Sequence, residues 1–325
     1  MDTPDALSPE PIVFVVDGDL VGMRLDRALA QMLPDYSRSR LAQWVKTGRV
    51  KVDGAKTKPS LALDAGVQVH IDLPPPEPTE CIATPMDLDI VYEDAELVVV
   101  NKPAGVVMHP APGHQDDTLV NGLVARYGNL SPIGGPHRPG VVHRIDAFTT
   151  GVVVVARTER AHHHLAAQFA EHTVDRRYHA LVWGRQLPAM GTFDTLHGRH
   201  MNHRLKFTTR VERGRRAVTH YTALAEAHGA TWVEMRLETG RTHQIRVHMA
   251  EANWPLLGDP LYGRPRRIER PTELRLLGID LGLKRQALHA FELGFEHPVT
   301  GERLRFESTL PEDLASALEA LGITP

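Results

Sequence analysis

The sequence predicts an α+β fold, with a small N-terminal α/β unit ahead of a larger domain built on a mostly antiparallel, mixed sheet. Three observations carry this. Short β-branched runs alternate with helical stretches over most of the 325 residues, without an internal repeat. One such run alternates strictly: Thr231, Val233, Met235 and Leu237 face one way, and Trp232, Glu234 and Arg236 the other. That is the pattern of a half-buried strand in an antiparallel sheet. Finally, Pro74-Pro75-Pro76-Glu77-Pro78 excludes both helix and central strand and reads as a linker.

The first unit occupies residues 10–73. Leu25, Leu29 and Leu33, with Ala28 and Met32, form a helical stripe ended by Pro34. Ser37 is placed to cap a second helix carrying Leu41, Trp44 and Val45 and ending near Gly48. Val50 and Val52 then alternate with charges before an Asp53-Gly54 turn, and Val67, Val69 and Ile71 give a last short strand. Residues 74–84 form the linker, and the second domain covers 85–325. Its expected strands are Leu97 to Val100, Val152 to Val155, Tyr178 to Trp183, Val218 to Ala223 and Thr231 to Leu237. Its expected helices are Leu119 to Tyr127, Ala161 to Glu171 and Thr242 to Glu251. The charged segment from Arg264 to Arg285 reads as a surface insertion.

Composition narrows the class. Hydrophobic residues at 42% and charged residues at 24% fit a globular protein with a real core. No apolar run is long enough to cross a bilayer, and the acidic, proline-containing start is unlike a signal peptide. Cys81 is the only cysteine, which excludes an intramolecular disulfide and fits a reducing cytoplasm. The net charge of −3 argues at first against a nucleic-acid binder, but the charges are segregated. Nine Lys and Arg face three acids between Val21 and Ser60, and ten face two between Arg176 and Arg216. Leu61 to Val100, by contrast, holds nine acids and no Lys or Arg. Phosphate binding needs only local positive potential, because fields are screened within about 8 Å at physiological salt.

The most informative stretch is His143-Arg144-Ile145-Asp146-Ala147-Phe148-Thr149-Thr150-Gly151, followed by Val152 to Ala156. An acid ends a charged run, a small polar turn follows, and a buried strand comes next. This arrangement holds one carboxylate at the floor of a cleft, with an arginine two residues before it. The stretch resembles the signature of the RluA/RluD family of pseudouridine synthases, in which the aspartate is the nucleophile.

The resemblance extends along nearly the whole chain. Arg24-Leu25-Asp26, Ser37-Arg38-Ser39-Arg40 and Gly48 to Gly54 look like an S4 RNA-binding domain, which implies RNA contacts from Arg24, Arg27, Arg38, Arg40, Lys46 and Lys51. Tyr178, in Arg177-Tyr178-His179-Ala180, matches the family tyrosine that stacks on the target base and is placed to take its C5 proton. Arg246, in Thr239-Gly240-Arg241-Thr242-His243-Gln244-Ile245-Arg246, matches the arginine that pairs with the aspartate. Arg241, His243 and Ile245 of that motif, with Thr149 and Gly151, are expected to support the site. Lys102 and Pro103, in Asn101-Lys102-Pro103-Ala104-Gly105, match a motif that shapes the strand beside the catalytic loop. His197 to Phe207 and Gly214 to Tyr221 resemble the family's basic hairpin, implying backbone contacts from Arg199, Arg204, Lys206 and Arg215. Arg144 matches an arginine that fills the space left by the extruded base.

Pro34 to Arg40 and Asp89 to Asp94 point to the RluD branch, which acts on uridines in the helix 69 stem-loop of large-subunit ribosomal RNA. The implied partner is therefore that RNA, free or within the assembling large subunit. No membrane partner and a monomeric state are expected. One departure stands out, since family members usually carry charged residues directly after the aspartate and this chain has Ala147-Phe148.

The implied reaction detaches the base from C1′, turns it, and rejoins it through C5. It calls for a carboxylate, a base and a holding pocket, and for no metal or redox cofactor. The nineteen histidines raise a metal alternative. However, His243 and His248 are five apart without an intervening glutamate, and His162-His163-His164 point around three sides of a helix. A kinase reading of His143-Arg144-Ile145-Asp146 lacks a glycine-rich phosphate loop and an Asp-Phe-Gly. A non-catalytic RNA-binding assembly factor explains the basic segments but not an acid, an arginine and a tyrosine all matching one active site.

Overall fold

A computed structural model describes residues 11–33, 36, 38–73, 81–184, 186–263 and 281–324. The proposed cap at Ser37, the helix stop at Pro34 and the proline run 74–78 lie outside the described residues. So does 264–280 of the expected surface insertion.

The first unit opens with a strand absent from the sequence reading, β1 (Ile12–Val15). Helices α1 (Leu25–Met32) and α2 (Arg38–Thr47) follow, then β2 (Val50–Val52), β3 (Ala55–Lys56) and β4 (Gln68–Ile71). The strands form an antiparallel sheet in the order β1-β4-β2-β3. Asp53 (φ 47°) and Gly54 (φ 77°) both adopt left-handed backbone, as a two-residue hairpin turn requires. Leu25, Leu29, Leu41, Trp44 and Val45 fill the core with Val69 and Ile71. Met32, expected in the stripe, is 43% exposed.

The second unit is one ten-stranded sheet carrying helices. Its elements in chain order are β5 (Asp89–Glu93), β6 (Leu97–Lys102), α3 (Leu119–Tyr127), β7 (Thr150–Ala156), α4 (Glu159–Glu171), β8 (Asp175–Trp183), β9 (Met190–Arg199) and β10 (Phe207–Thr208). They continue with β11 (Arg215–Ala227), β12 (Ala230–Leu237), α5 (Gln244–Glu251), β13 (Leu288–Glu296), β14 (Arg303–Glu307) and α6 (Glu312–Ala320). Nine strands run in the order β10-β9-β11-β12-β8-β13-β7-β6-β5, and β14 also pairs with β13. The described pairings are antiparallel except β7 with β13. This is the mixed, mostly antiparallel sheet that the alternation predicts.

Two elements depart from the sequence reading. The alternation puts Trp232 with Glu234 and Arg236 on the face opposite Val233, yet it is 2% exposed, packed with Leu314, Leu318 and Leu321 on and beside α6. No strand pattern reveals that a C-terminal helix covers this face. Arg285, read as the end of a surface insertion, is also buried. Its guanidinium meets Asp313 at 2.7 Å and donates to the backbone oxygen of Phe148 at 3.0 Å. No helix among the described residues is long and apolar enough to cross a membrane.

The parallel contact between β7 and β13 positions the functional cleft. Gly151 (φ 117°) faces Ala290 there, and a Cβ on Gly151 would stand 2.0 Å from the Ala290 carbonyl oxygen. Only glycine lets the strand that follows the turn 143–149 approach β13 this closely.

Candidate active site

The turn 143–149 enters β7 and is held from beneath. The His143 ring stacks on Phe169 at 4.6 Å, and its Nε2 accepts the Val154 N–H at 3.0 Å. Burial pushes its pKa down to about 3, so the ring stays neutral and its acceptor nitrogen stays available. Lys102 is fully buried, and its ammonium donates to the backbone oxygens of Ala147 (2.8 Å), Pro103 (2.8 Å) and Val106 (2.9 Å). Desolvation lowers its pKa to about 7, against an opposing pull from Asp146. Two buried basic side chains, Lys102 and Arg285, therefore grip the consecutive carbonyls of Ala147 and Phe148. This turn is fixed through its backbone. The unusual Ala147-Phe148 pair leaves that support intact, and the Phe148 ring, 52% exposed, faces the cleft mouth. Thr149 is buried, its N–H bonded to the Asp146 carbonyl at 3.0 Å and its hydroxyl accepting from Gln286 at 3.3 Å.

The Asp146 carboxylate is partly buried, with Oδ2 accepting from Arg246 Nη1 at 2.9 Å. Arg246 projects from α5 and is oriented by a second acid, Asp259, which takes its Nε at 2.8 Å and Nη2 at 3.0 Å. Asp259 is itself fixed by the N–H groups of Leu261 (2.8 Å) and Tyr262 (2.9 Å). These bonds outweigh burial and hold its pKa below the usual carboxylate range. Arg246, between two carboxylates, is raised above its ordinary value. With Nε and Nη2 occupied by Asp259, Nη1 is left for Asp146. The geometry thus assigns one guanidinium edge to structure and one nitrogen to the cleft.

The turn before α5 locks itself. Gln244 accepts from the Thr239 hydroxyl (2.7 Å) and the Arg241 N–H (3.0 Å), and donates to the Val218 carbonyl (3.0 Å) and Thr219 hydroxyl (2.9 Å). His243 (φ 58°) caps the helix in left-handed backbone, an uncommon state for a non-glycine residue. Its Nε2 lies 3.9 Å from Asp146, and its Nδ1 lies 3.0 Å from the Tyr262 hydroxyl. Arg241 donates to the Arg216 carbonyl, and Ile245 is buried against the core that includes Tyr178.

Tyr178 sits on β8, and its ring lines the same cleft as Asp146, Arg246, Arg241 and Ile245. Burial raises its pKa, with Asp146 adding and Arg176 opposing, so the resting phenol is neutral. The cleft, of about 50 Å³, meets at Asp146 a wider groove of about 420 Å³ walled by His109, Arg138, Arg144 and Phe148. Arg144 is exposed on this side.

The expected RNA-binding residues fall into three places. Arg199 and Arg204 are exposed on the β9–β10 hairpin, which also carries the partly buried Lys206, and Arg215 is exposed at the start of neighbouring β11. The hairpin joins the cleft through Tyr262, whose hydroxyl accepts the Phe207 N–H at 2.9 Å. In the first unit Arg27, Lys46 and Lys51 are exposed, while Arg24 and Arg38 both pair with Asp26, pulling its pKa to about 2. Arg40 behaves differently: its guanidinium lies 2.9 Å from Glu159 of α4 and is largely buried, linking the two units. Of the histidines weighed for a metal, His248 bridges Thr195 and Thr219 at 2.9 Å each, and His164 Nδ1 lies 2.9 Å from Gln168. Among the described residues no three His, Cys, Asp or Glu side chains converge as a metal site would need.

Sequence reasoning missed Asp259, Arg285, Tyr262 and Arg176. Only Asp259 carries a local signal, an acid between Gly258 and Pro260 thirteen residues after Arg246.

Comparison with known proteins gives the class that this cleft and sheet define. The chain belongs to the RNA pseudouridylate synthase family, whose model matches residues 96–251, and an S4 domain model matches residues 23–69. It is similar to "Uncharacterized RNA pseudouridine synthase YlyB" of Bacillus subtilis, 46% identical over 298 residues, 92% of this chain and 94% of that one. It is also similar to "Ribosomal large subunit pseudouridine synthase D" of Pseudomonas aeruginosa, 44% identical over 303 residues, 93% of each chain. Among solved structures, human "RNA Pseudouridylate Synthase Domain Containing 4" aligns with a TM-score of 0.55 at 26% identity, covering 72% of this chain and 93% of that one. The protein is thus an RNA pseudouridine synthase, an isomerase with an α+β catalytic fold and an N-terminal S4 domain.

Proposed function

We propose that this enzyme isomerises uridines of large-subunit ribosomal RNA, in the helix 69 stem-loop, with Asp146 as the nucleophile. The observation that carries the reading is the 2.9 Å Asp146–Arg246 pair in one cleft with Tyr178. It occurs in a chain 44% identical, nearly end to end, to a ribosomal large subunit pseudouridine synthase D. The target uridine leaves its stack at a cost of a few kcal/mol, and Arg144, exposed at the groove, fills the vacated space. The Asp146 carboxylate bonds to C1′ while the C1′–N1 bond breaks and its electron pair stays on the base. The base turns against Tyr178, C5 bonds to C1′, and the carboxylate leaves. The C5 proton passes to Tyr178, whose own proton goes to solvent, and N1 takes a proton back. Nothing is oxidised and no co-substrate is consumed.

Residues 10–73 form the S4 domain, 74–84 the linker and 85–325 the catalytic domain in this reading. The enzyme acts as a monomer in the cytoplasm, where its RNA is made and assembled.

The test is to incubate purified protein with a large-subunit RNA fragment containing helix 69 and map pseudouridines by reverse-transcription stops after carbodiimide treatment. Product in the loop is expected. Product only at other positions transfers the target to another uridine, and no product anywhere removes the isomerase reading.

The S4 contribution has its own expected result. Replacing Arg27, Lys46 and Lys51 with alanine weakens binding to that fragment and flattens its log–log salt dependence by about 2, at roughly 0.7 to 0.9 per phosphate contact. Turnover at saturating RNA stays unchanged. Titrations at several salt concentrations check this, and an unaltered slope places the RNA elsewhere. A further prediction concerns Tyr178→Phe, which keeps the ring and loses the hydroxyl. RNA affinity persists while product formation falls at least about 100-fold, the scale of a lost acid–base group. A wild-type rate removes the phenol from the chemistry.

A further inference from the structure

Arg176 is a buried cation with no acidic partner in direct contact among the described residues. It precedes Tyr178 by two residues on β8, so both side chains leave the same face of the sheet. Both are 7% exposed, and both line the cleft with Asp146. The other two buried arginines near the site are paired, Arg246 with Asp146 and Asp259, and Arg285 with Asp313. Arg176 has no acidic partner among the described residues. Its Nη2 donates to the Glu238 carbonyl at 2.5 Å, its plane packs 5.4 Å from the centre of the Phe169 ring, and its Nε has no partner. Burial lowers its pKa, against an opposing pull from Tyr178 and with a smaller push from Arg241. An arginine nonetheless remains charged in a protein, so the fold holds a buried positive charge with no direct ion pair among the described residues, in the cleft that Asp146 also lines. Gly240 makes room for it, since a Cβ there would lie 2.7 Å from Arg176 Nη1.

We infer that Arg176 is a catalytic residue that stabilises the detached uracil anion. This rests on the isomerase reading of the Asp146 cleft. When the C1′–N1 bond breaks, its electron pair remains on the base, giving a monoanion spread over N1, O2 and O4. The charge disappears when C5 forms its bond to C1′ and the Asp146 carboxylate is released. A fixed guanidinium lining the cleft matches an anion present only between those two events. A neutral base gains little from it before cleavage. Stabilisation of this kind appears in kcat and not in KM.

The test compares wild type, Arg176→Gln, Arg176→Lys and Asp146→Asn on stem-loops carrying either uridine or 5-fluorouridine at the target. Fluorine stabilises the uracil anion by itself. With fluorine on C5 there is no proton to lose, so the rearranged nucleotide reports cleavage and rejoining alone. Arg176→Gln is expected to lower kcat on uridine about 100-fold or more with KM within about threefold, the scale of a lost oxyanion donor. Arg176→Lys recovers most of that loss, and on 5-fluorouridine the deficit of Arg176→Gln shrinks at least about tenfold. Equal deficits on both substrates, or a loss confined to KM as a phosphate contact would give, overturn the inference. If Arg176→Gln does not fold, wild-type protein is titrated with uracil and with 5-nitrouracil, which is ionised at neutral pH. Tighter binding of the anion supports the inference, and no preference overturns it. Asp146→Asn separates the two readings: activity in that variant defeats the isomerase assignment, whereas an inactive Asp146→Asn beside an unimpaired Arg176→Gln defeats only this one.

Discussion

Asp146→Asn is expected to abolish isomerisation while leaving RNA affinity within a few-fold of wild type. The substitution removes the anionic charge of the proposed nucleophile and almost no volume. Arg246 keeps its two bonds to Asp259, at 2.8 and 3.0 Å, so its position survives the change. The turn also survives, because Lys102 and Arg285 hold the Ala147 and Phe148 carbonyls and not the carboxylate. Loss of a nucleophile costs about 10⁴-fold or more in comparable systems. Tritium release from uridine labelled at C5 measures turnover, and filter binding measures affinity. Appreciable turnover in this variant would remove Asp146 from the chemistry.

The second large effect is expected at Asp259, which touches no substrate and acts through Arg246. Asp259→Asn replaces one of two acceptor oxygens with a donor facing a guanidinium, in a site where the Asp259 side chain has no solvent exposure. Breaking one side of a buried ion pair costs about 3–5 kcal/mol. At a temperature where the variant stays folded, kcat falls about 100-fold with little change in KM, because Nη1 no longer faces Asp146 squarely. Asp259→Glu, which restores charge but not reach, recovers part of the stability. The pH dependence carries a sign. The folded-state pKa of Asp259 is depressed, so its stabilisation is present above the unfolded value of about 3.9 and is lost as pH falls through the lower folded value. The stability gap between wild type and Asp259→Asn therefore narrows below about pH 4. Denaturant titrations at pH 7 and in that acid range check it, and a gap that widens on acidification contradicts the ion-pair role.

What the sequence made legible was local. Helix α3 is found at Leu119–Tyr127 as read, because a threonine cap, an apolar run and Gly128 mark its ends. Asp146, Tyr178 and Arg246 were readable because each lies in its own short motif, and the structure brings the three to one cleft. The unread parts depend on partners far away in the chain. Arg285 finds Phe148 137 residues earlier, and no pattern around Arg285 marks that contact. Trp232 looked exposed because strand alternation describes one sheet face and is blind to a helix that packs on the other. Arg40 was counted with the RNA-facing charges because a charge tally does not see Glu159 across the unit boundary. The Ala147-Phe148 departure leaves the support of the turn intact, because the fold uses those residues through their carbonyls.

The Asp146 cleft is proposed to make pseudouridine in large-subunit ribosomal RNA. Its most direct test is a pseudouridine map of that RNA from cells lacking this protein, complemented either with wild type or with Asp146→Asn at equal abundance. Wild type is expected to restore modification in the helix 69 loop, and Asp146→Asn to leave those positions as uridine. Restoration of the modified positions by Asp146→Asn would contradict it.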